Sequence, residues 1–359
     1  MISHSMSENK VFPSIENSVF GETEHMEVLL FKLRNRDLEI GISNYGCTVV
    51  NIFAPDSSGN KKNIVTGFNN LEAYTKPHPH FGCIVGRFAN RISNSNFLLD
   101  GKQIFLSMNE PPNHLHGGNN GFHRKVWKVE KIIRETTQAG IVFSYLSKDG
   151  EEGYPGNLTA TVTYLLTEDN RLVIHCAAVT DQPTIVNMTN HSYFNLSGFE
   201  MPDIYNHQLQ IFSDYYTTKN EINTSSGKIE PVKNTPMDFS KPKFIGEEIH
   251  LMTTDNGYEY NYVLSFPSEE MTLAAILREP VSGRKLEVFT NAPGIQLYTS
   301  NWLDGSIIGA QGIPYQRHAA VALETQAIPD APNHPAFPSS VLRPGEVYKT
   351  STIFHFSTE

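Results

Sequence analysis

Residues 158–176 read Leu-Thr-Ala-Thr-Val-Thr-Tyr-Leu-Leu-Thr-Glu-Asp-Asn-Arg-Leu-Val-Ile-His-Cys, and they decide the fold class. Leu158, Ala160, Val162 and Tyr164 alternate with Thr159, Thr161 and Thr163. A period of two in apolar and β-branched residues marks a strand with one face buried. Glu168-Asp169-Asn170 supplies turn residues, and residues 172–176 return as a second apolar run. The stretch therefore predicts an antiparallel hairpin.

The pattern recurs outward from this hairpin. Residues 97–99 and 102–106 face each other across Asp100-Gly101, a two-residue hairpin turn. Residues 126–133 and 141–146 form a further pair. Pro and Gly punctuate the chain at short intervals, as in Ala54-Pro55-Asp56, Gly153-Tyr154-Pro155-Gly156 and Ala292-Pro293-Gly294. No long amphipathic helix is present; short helical turns are predicted near residues 71–74 and 244–249. Many short strands with frequent turns predict an all-β fold, a large β-sandwich. Residues 1–24 are polar and mixed and read as an N-terminal arm or an edge strand. Residues 25–359, without repeat, low-complexity tract or linker, read as a single catalytic domain.

Composition narrows the partners. Lys and Arg number 28 against 38 Asp and Glu, a formal charge of −10. Such a surface repels phosphate backbones and offers no basic stripe to anionic lipid, so neither nucleic acid nor membrane is an expected partner. Cys47, Cys83 and Cys176 are few, odd in number and widely spaced, which suits buried thiols in a reducing compartment. The first ten residues lack the apolar stretch of a secretory leader, and no run reaches membrane-spanning length. The expected location is the cytoplasm.

Five segments concentrate side chains able to do chemistry. Gly86-Arg87-Phe88-Ala89-Asn90-Arg91-Ile92 carries two guanidinium forks suited to hydroxyls or carboxylates. Arg91 is the expected site residue and Arg87 the structural one. Asn113-His114-Leu115-His116-Gly117-Gly118 places two histidines two apart, which on a strand puts them on one side. Two such histidines could chelate a metal, but no nearby Cys or acid completes a ligand set, and no metal is expected. His116 is the candidate donor to a ligand hydroxyl. Residues 187–196, Asn-Met-Thr-Asn-His-Ser-Tyr-Phe-Asn-Leu, are dense in hydrogen-bonding groups, which implies a buried network or a ligand floor. His191 is the best general-acid candidate, because imidazole titrates near working pH. In residues 294–302 Gln296 and Tyr298 share a strand face, and amide with aromatic suits a sugar. In Ala320-Val321-Ala322-Leu323-Glu324-Thr325-Gln326 an apolar run ends at Glu324, so its carboxylate is expected to be partly desolvated and more basic, as a general base requires.

At these segments the chain resembles the aldose 1-epimerase (galactose mutarotase) family. The resemblance rests on G-R-F-A-N-R-I, N-H-L-H-G-G, T-N-H-S-Y-F-N-L, G-I-Q-L-Y-T-S-N and L-E-T-Q followed by P-D-A-P-N, in family order and ending in V-L-R-P-G-E. It implies a β-sandwich with the sugar in an open cleft on one sheet, and a free aldose as substrate. It implies Glu324 as the base that takes the anomeric hydroxyl proton and His191 as the acid that protonates the ring oxygen. Asn90, Arg91, His116, Tyr193 and Gln296 match positions that hold the sugar. One departure stands out. Gly257-Tyr258-Glu259-Tyr260-Asn261 occupies the place of a family Gly-aromatic-Asp-His-Asn, so Glu259 stands where an Asp binds sugar hydroxyls. Ring opening needs two proton transfers and no redox step, so no cofactor is implied. At rest Glu324 is expected ionised and His191 protonated, with Glu324 and Glu259 favouring the imidazolium. Three other readings remain open on the sequence: a hexose-6-phosphate 1-epimerase using Arg87, Arg91 and Arg124, a non-catalytic sugar-binding module, and a metal hydrolase built on His114 and His116.

Overall fold

The hairpin quoted above forms two neighbouring strands, Leu158–Thr167 and Arg171–Thr180, in register from Leu158 opposite Thr180 to Leu166 opposite Leu172. Burial alternates along the first as the sequence predicts, with the apolar residues inward. The pair belongs to a nine-stranded antiparallel sheet. The C-terminal strand Tyr348–Thr358 is inserted between Arg171–Thr180 and Arg284–Thr290, which joins the two halves of that sheet. This computed structural model describes residues 13–264 and 270–359; the N-terminal decapeptide read above for a leader lies outside them.

Two further sheets complete the β-sandwich. Ser14–Thr23, Met26–Arg34, Glu39–Ser43, Thr48–Pro55 and Lys61–Asn63 form a meander in chain order. Its edge strand is Ser14–Thr23, and the turn at Glu24-His25 leads into the next strand. A six-stranded sheet runs Tyr193–Phe194, Val321–Gln326, Gly294–Tyr298, Glu259–Val263, Tyr215–Lys219, Ser225–Pro231. One apolar core serves all three sheets: Ile40, Val162 and Leu323 are members of a single packed cluster. Burial of each such aliphatic side chain contributes roughly 1.5–3 kcal/mol, so the core fixes the relative placement of the sheets.

The helical expectations divide. Leu71–Thr75 is a short α-helix, capped by Asn70, whose Oδ1 accepts from the Ala73 N–H at 3.0 Å. Residues 244–249 are not helical. Lys243–Phe244 is an edge strand, and only Ile249–Leu251 forms a single 3₁₀ turn. The N–H groups of Ile245 and Gly246 donate to the carbonyls of His207 and Tyr205, so a neighbouring segment takes the donors a helix would need. Cys47, Cys83 and Cys176 are all buried and unpaired. Among the described residues no helix is long and apolar enough to cross a membrane.

Candidate active site

The six-stranded sheet carries two rows of side chains on one face. Antiparallel pairing sets Asn261 opposite Gln296 and Gln296 opposite Glu324. Two residues along, it aligns Glu259, Tyr298, Ala322 and Tyr193 across four strands. His191 precedes Tyr193 by two residues and so comes level with Glu324. Its Nε2 lies 3.5 Å from Glu324 Oε2, with both side chains almost wholly buried. The His191 ring is held between two others: Tyr193 stacks at 4.8 Å and 17°, and His80 at 6.0 Å and 16°. Its backbone N–H donates to the Cys83 carbonyl at 2.9 Å.

The facing wall comes from the two loop segments around Arg91 and His116, where His114–Leu115 pairs with Arg91–Ile92. Asn90 and His116 both adopt left-handed backbone, with φ of 67° and 52°. They interlock: the Asn90 N–H donates to His116 Nδ1 at 3.1 Å, and the His116 N–H donates to the Asn90 carbonyl at 3.2 Å. The left-handed turn at His116 breaks strand alternation, so the two histidines do not share a side as the sequence suggested. His114 instead bonds the Ser107 carbonyl through Nδ1 and the Tyr154 hydroxyl through Nε2, both at 2.6 Å. Arg87 and Arg91 also part company. Arg87 is buried and donates to the carbonyls of Ser147, Lys148, Pro155 and Gly156, fastening the two ends of one interstrand connection. Arg91 reaches the cleft. Its Nε and Nη2 grip the Glu110 carboxylate at 2.7 Å each, and its Nη1 meets Glu259 at 2.6 Å. Burial opposes this charge, and the two carboxylates more than offset it.

Between these walls lies a cleft of about 280 Å³, which all eight residues singled out in the sequence line: Asn90, Arg91, His116, His191, Tyr193, Glu259, Gln296 and Glu324. Carboxylates, amides and imidazoles converge there beside the rings of Tyr193, Tyr298 and Trp302. That mixture suits a ligand with many hydroxyls and an apolar face. His116, His191 and Glu324 also bring one ligand-type atom each within 4.8 Å of one another, the spacing of a metal site. The tautomer of His116 argues against it. Its Nδ1 lone pair is committed to the Asn90 N–H, so a neutral ring carries its proton on Nε2 and offers a donor, not a ligand. His114 is turned away as well, so the two histidines of the metal-hydrolase reading do not converge on one ion.

A family model for aldose 1-epimerase matches residues 30–355. The chain belongs to the aldose 1-epimerase family. Galactose mutarotases of Rattus norvegicus and Homo sapiens are 42% and 41% identical to it, over 96% of this chain and 99% of each relative. The aldose 1-epimerase of Escherichia coli K12 is 36% identical over 92% of this chain and 95% of its own. Among solved structures, a galactose 1-epimerase from Lactobacillus acidophilus superposes with a TM-score of 0.85 at 26% identity, covering 96% and 99% of the two chains. An aldose epimerase homologue from C. elegans gives 0.84 at 30% identity, covering 92% and 98%. The protein is thus an isomerase that interconverts the anomers of aldoses.

For this epimerase one expectation is corrected. Burial depresses the His191 imidazole to about 3, and His78 adds to the effect. Burial raises Glu324 to about 8, reinforced by the Glu259 carboxylate and opposed by Arg91. Burial therefore favours a neutral imidazole beside a protonated carboxyl, the reverse of the expected charged pair. Desolvation penalises both charges, and it outweighs the attraction expected from the acids. The departure at residues 259–260 is also resolved in space. Glu259 faces the cleft, whereas Tyr260 lies under the Lys219 ammonium at 4.6 Å and does not line it. Other cleft residues were not singled out as sugar contacts, among them His80, Glu110, Tyr298 and Trp302. Tyr298 was visible as a face-mate of Gln296. Trp302, 62% exposed at the rim, stands at the end of the same segment.

Proposed function

We propose that Glu324 and His191 are the acid–base pair that opens and recloses the aldose ring, with galactose and glucose as substrates. The observation that carries this is the 3.5 Å approach of two buried titratable groups on the wall of a cleft rich in hydroxyl-binding side chains. Ring opening removes a proton from the C1 hydroxyl and delivers one to the ring oxygen. A carboxylate and an imidazolium perform both transfers together.

Between about pH 3 and about pH 8 the pair holds one proton. That is the number the reaction needs. Burial alone places it on the carboxyl. Sugar hydroxyls that donate to Glu324 favour its ionised form, and the proton then sits on His191. Ring opening moves the C1 hydroxyl proton to Glu324 and the His191 proton to the ring oxygen. The neutral pair that results is the one burial already favours, so the surroundings of the open-chain sugar need no reorganisation. Rotation about C1–C2 followed by the reverse transfers gives the other anomer. His116 donates through Nε2, and Arg91 retains two N–H groups for sugar oxygens beyond those held by Glu110 and Glu259. The buried, unpaired cysteines agree with a cytoplasmic location.

Polarimetry on freshly dissolved α-D-galactose and α-D-glucose tests the reading. The wild type should speed the change in rotation well above buffer for both sugars. Rates equal to buffer for both would remove galactose and glucose from the proposal.

A further inference from the structure

Beside the sugar cleft lies a second hollow of about 160 Å³, walled by His78, His80, His123 and Arg124 with Tyr74 and the backbone at Gly118-Asn119. His80 belongs to both cavities. The rings of His80 and His123 meet at 4.5 Å, yet neither imidazole has a hydrogen bond from its ring among the described residues. His123 is only 8% exposed, and its buried Nδ1 is an orphan. A buried polar atom normally has a hydrogen-bond partner, so this one marks unused bonding capacity. Arg124 is the cation of the site. Its one hydrogen bond goes to the Thr75 carbonyl at 3.3 Å, and it has no carboxylate partner among the described residues.

The lining chemistry selects the sign of the occupant. Among the described residues no acid lines the hollow. Glu152, whose carboxylate bonds the Asn119 N–H, is engaged as well by the Asn120 N–H and the Ser107 hydroxyl. Lys125 is paired with Glu151 at 2.8 Å. A metal ion would face an unneutralised guanidinium, and the Nδ1 of His78 already accepts from the Phe81 N–H at 3.2 Å. An oxyanion would meet the guanidinium fork and two unused imidazoles. Burial first, then mutual repulsion, holds His80 neutral; burial and Arg124 do the same for His123. A bound anion relieves both repulsions.

We propose that this hollow is an accessory site for a phosphate-class oxyanion, with inorganic phosphate as its simplest ligand. Arg124 supplies the charge-assisted bonds and His123 and His80 the neighbouring donors. His80 stands at the boundary of the two cavities, with its ring stacked on His191 on the sugar side.

The test is a titration of the full chain with inorganic phosphate at constant ionic strength, followed by the histidine ring resonances. The expected result is a saturable shift of a few resonances, unchanged when galactose saturates the sugar cleft. In Arg124→Gln, a half-exposed position, the affinity should fall about tenfold, the weight of one charge-assisted hydrogen bond. His123→Asn should weaken it too, while both variants still bind galactose. A response that galactose abolishes places the anion in the sugar cleft and overturns the proposal, as does a response unaltered in Arg124→Gln. Glucose 6-phosphate serves as the second probe. If it alone gives the shifts and inorganic phosphate gives none, the phosphate is read only as part of a sugar, and a separate anion site is excluded. The readout is binding, so it stands or falls independently of sugar turnover.

Discussion

In the strand Leu158–Thr167 the threonines face outward and the apolar residues inward; in Val321–Gln326 every residue is buried, the carboxylate and two amide or hydroxyl groups included. The difference lies in what covers the second face. The first strand has core on one side and the outer surface on the other. The second has core on one side and the sugar cleft on the other. Its neighbourhood keeps bonding capacity in reserve: Glu324 Oε2, Gln326 Oε1, both amide atoms of Asn261 and His191 Nδ1 have no hydrogen-bond partner among the described residues. One strand supports stability, and the other holds polar groups ready for hydroxyls at a cost to stability.

The comparison can be broken most sharply at its centre. Glu324→Gln should lower kcat for galactose anomer exchange roughly a thousandfold, while the melting temperature stays level or rises. Loss of stability together with activity would mean that Glu324 holds the strand rather than the proton. The reverse experiment is Leu166→Ala in the other strand, where the side chain is fully buried. It should cost about 2–5 kcal/mol in denaturant unfolding and leave kcat of the folded fraction unchanged. Third, kcat/KM should be level below pH about 8 and fall roughly tenfold per unit above it, as the pair loses the single proton it holds. The sign follows from the raised carboxyl: below that value the pair retains the proton, and above it no acid remains for the ring oxygen. A profile that instead falls through the ordinary range of histidine would return the resting proton to His191. The smallest effect is expected at Glu259→Asp, which shortens the reach to Arg91. It should change the ratio of kcat/KM for galactose and glucose a few-fold and leave the pH profile alone, which initial-rate polarimetry on both sugars measures.

Alternation made the nine-stranded sheet legible, and the shared face of Gln296 and Tyr298 gave half of the cleft wall. The pairing of His191 with Glu324 was not available from either segment alone, because it depends on the register between Tyr193–Phe194 and Val321–Gln326. His114 and His116 were misjudged as face-mates because one left-handed residue reverses the outcome, and periodicity carries no sign of φ. Protonation was misjudged for a related reason. Charge partners can be guessed from neighbouring acids, but the extent of desolvation is a property of the folded cleft. His80 and Glu110 went unmarked because each stands beside prolines in loop sequence, and only the fold brings them to Arg91 and His191.

The chain has two tryptophans, and they occupy opposite environments: Trp127 is wholly buried, whereas Trp302 stands at the mouth of the cleft. Their emission should therefore separate into a constant internal reference and a component that responds when a pyranose covers the indole. Occupancy becomes visible without chemistry, so a catalytically dead variant can still be shown to hold its sugar.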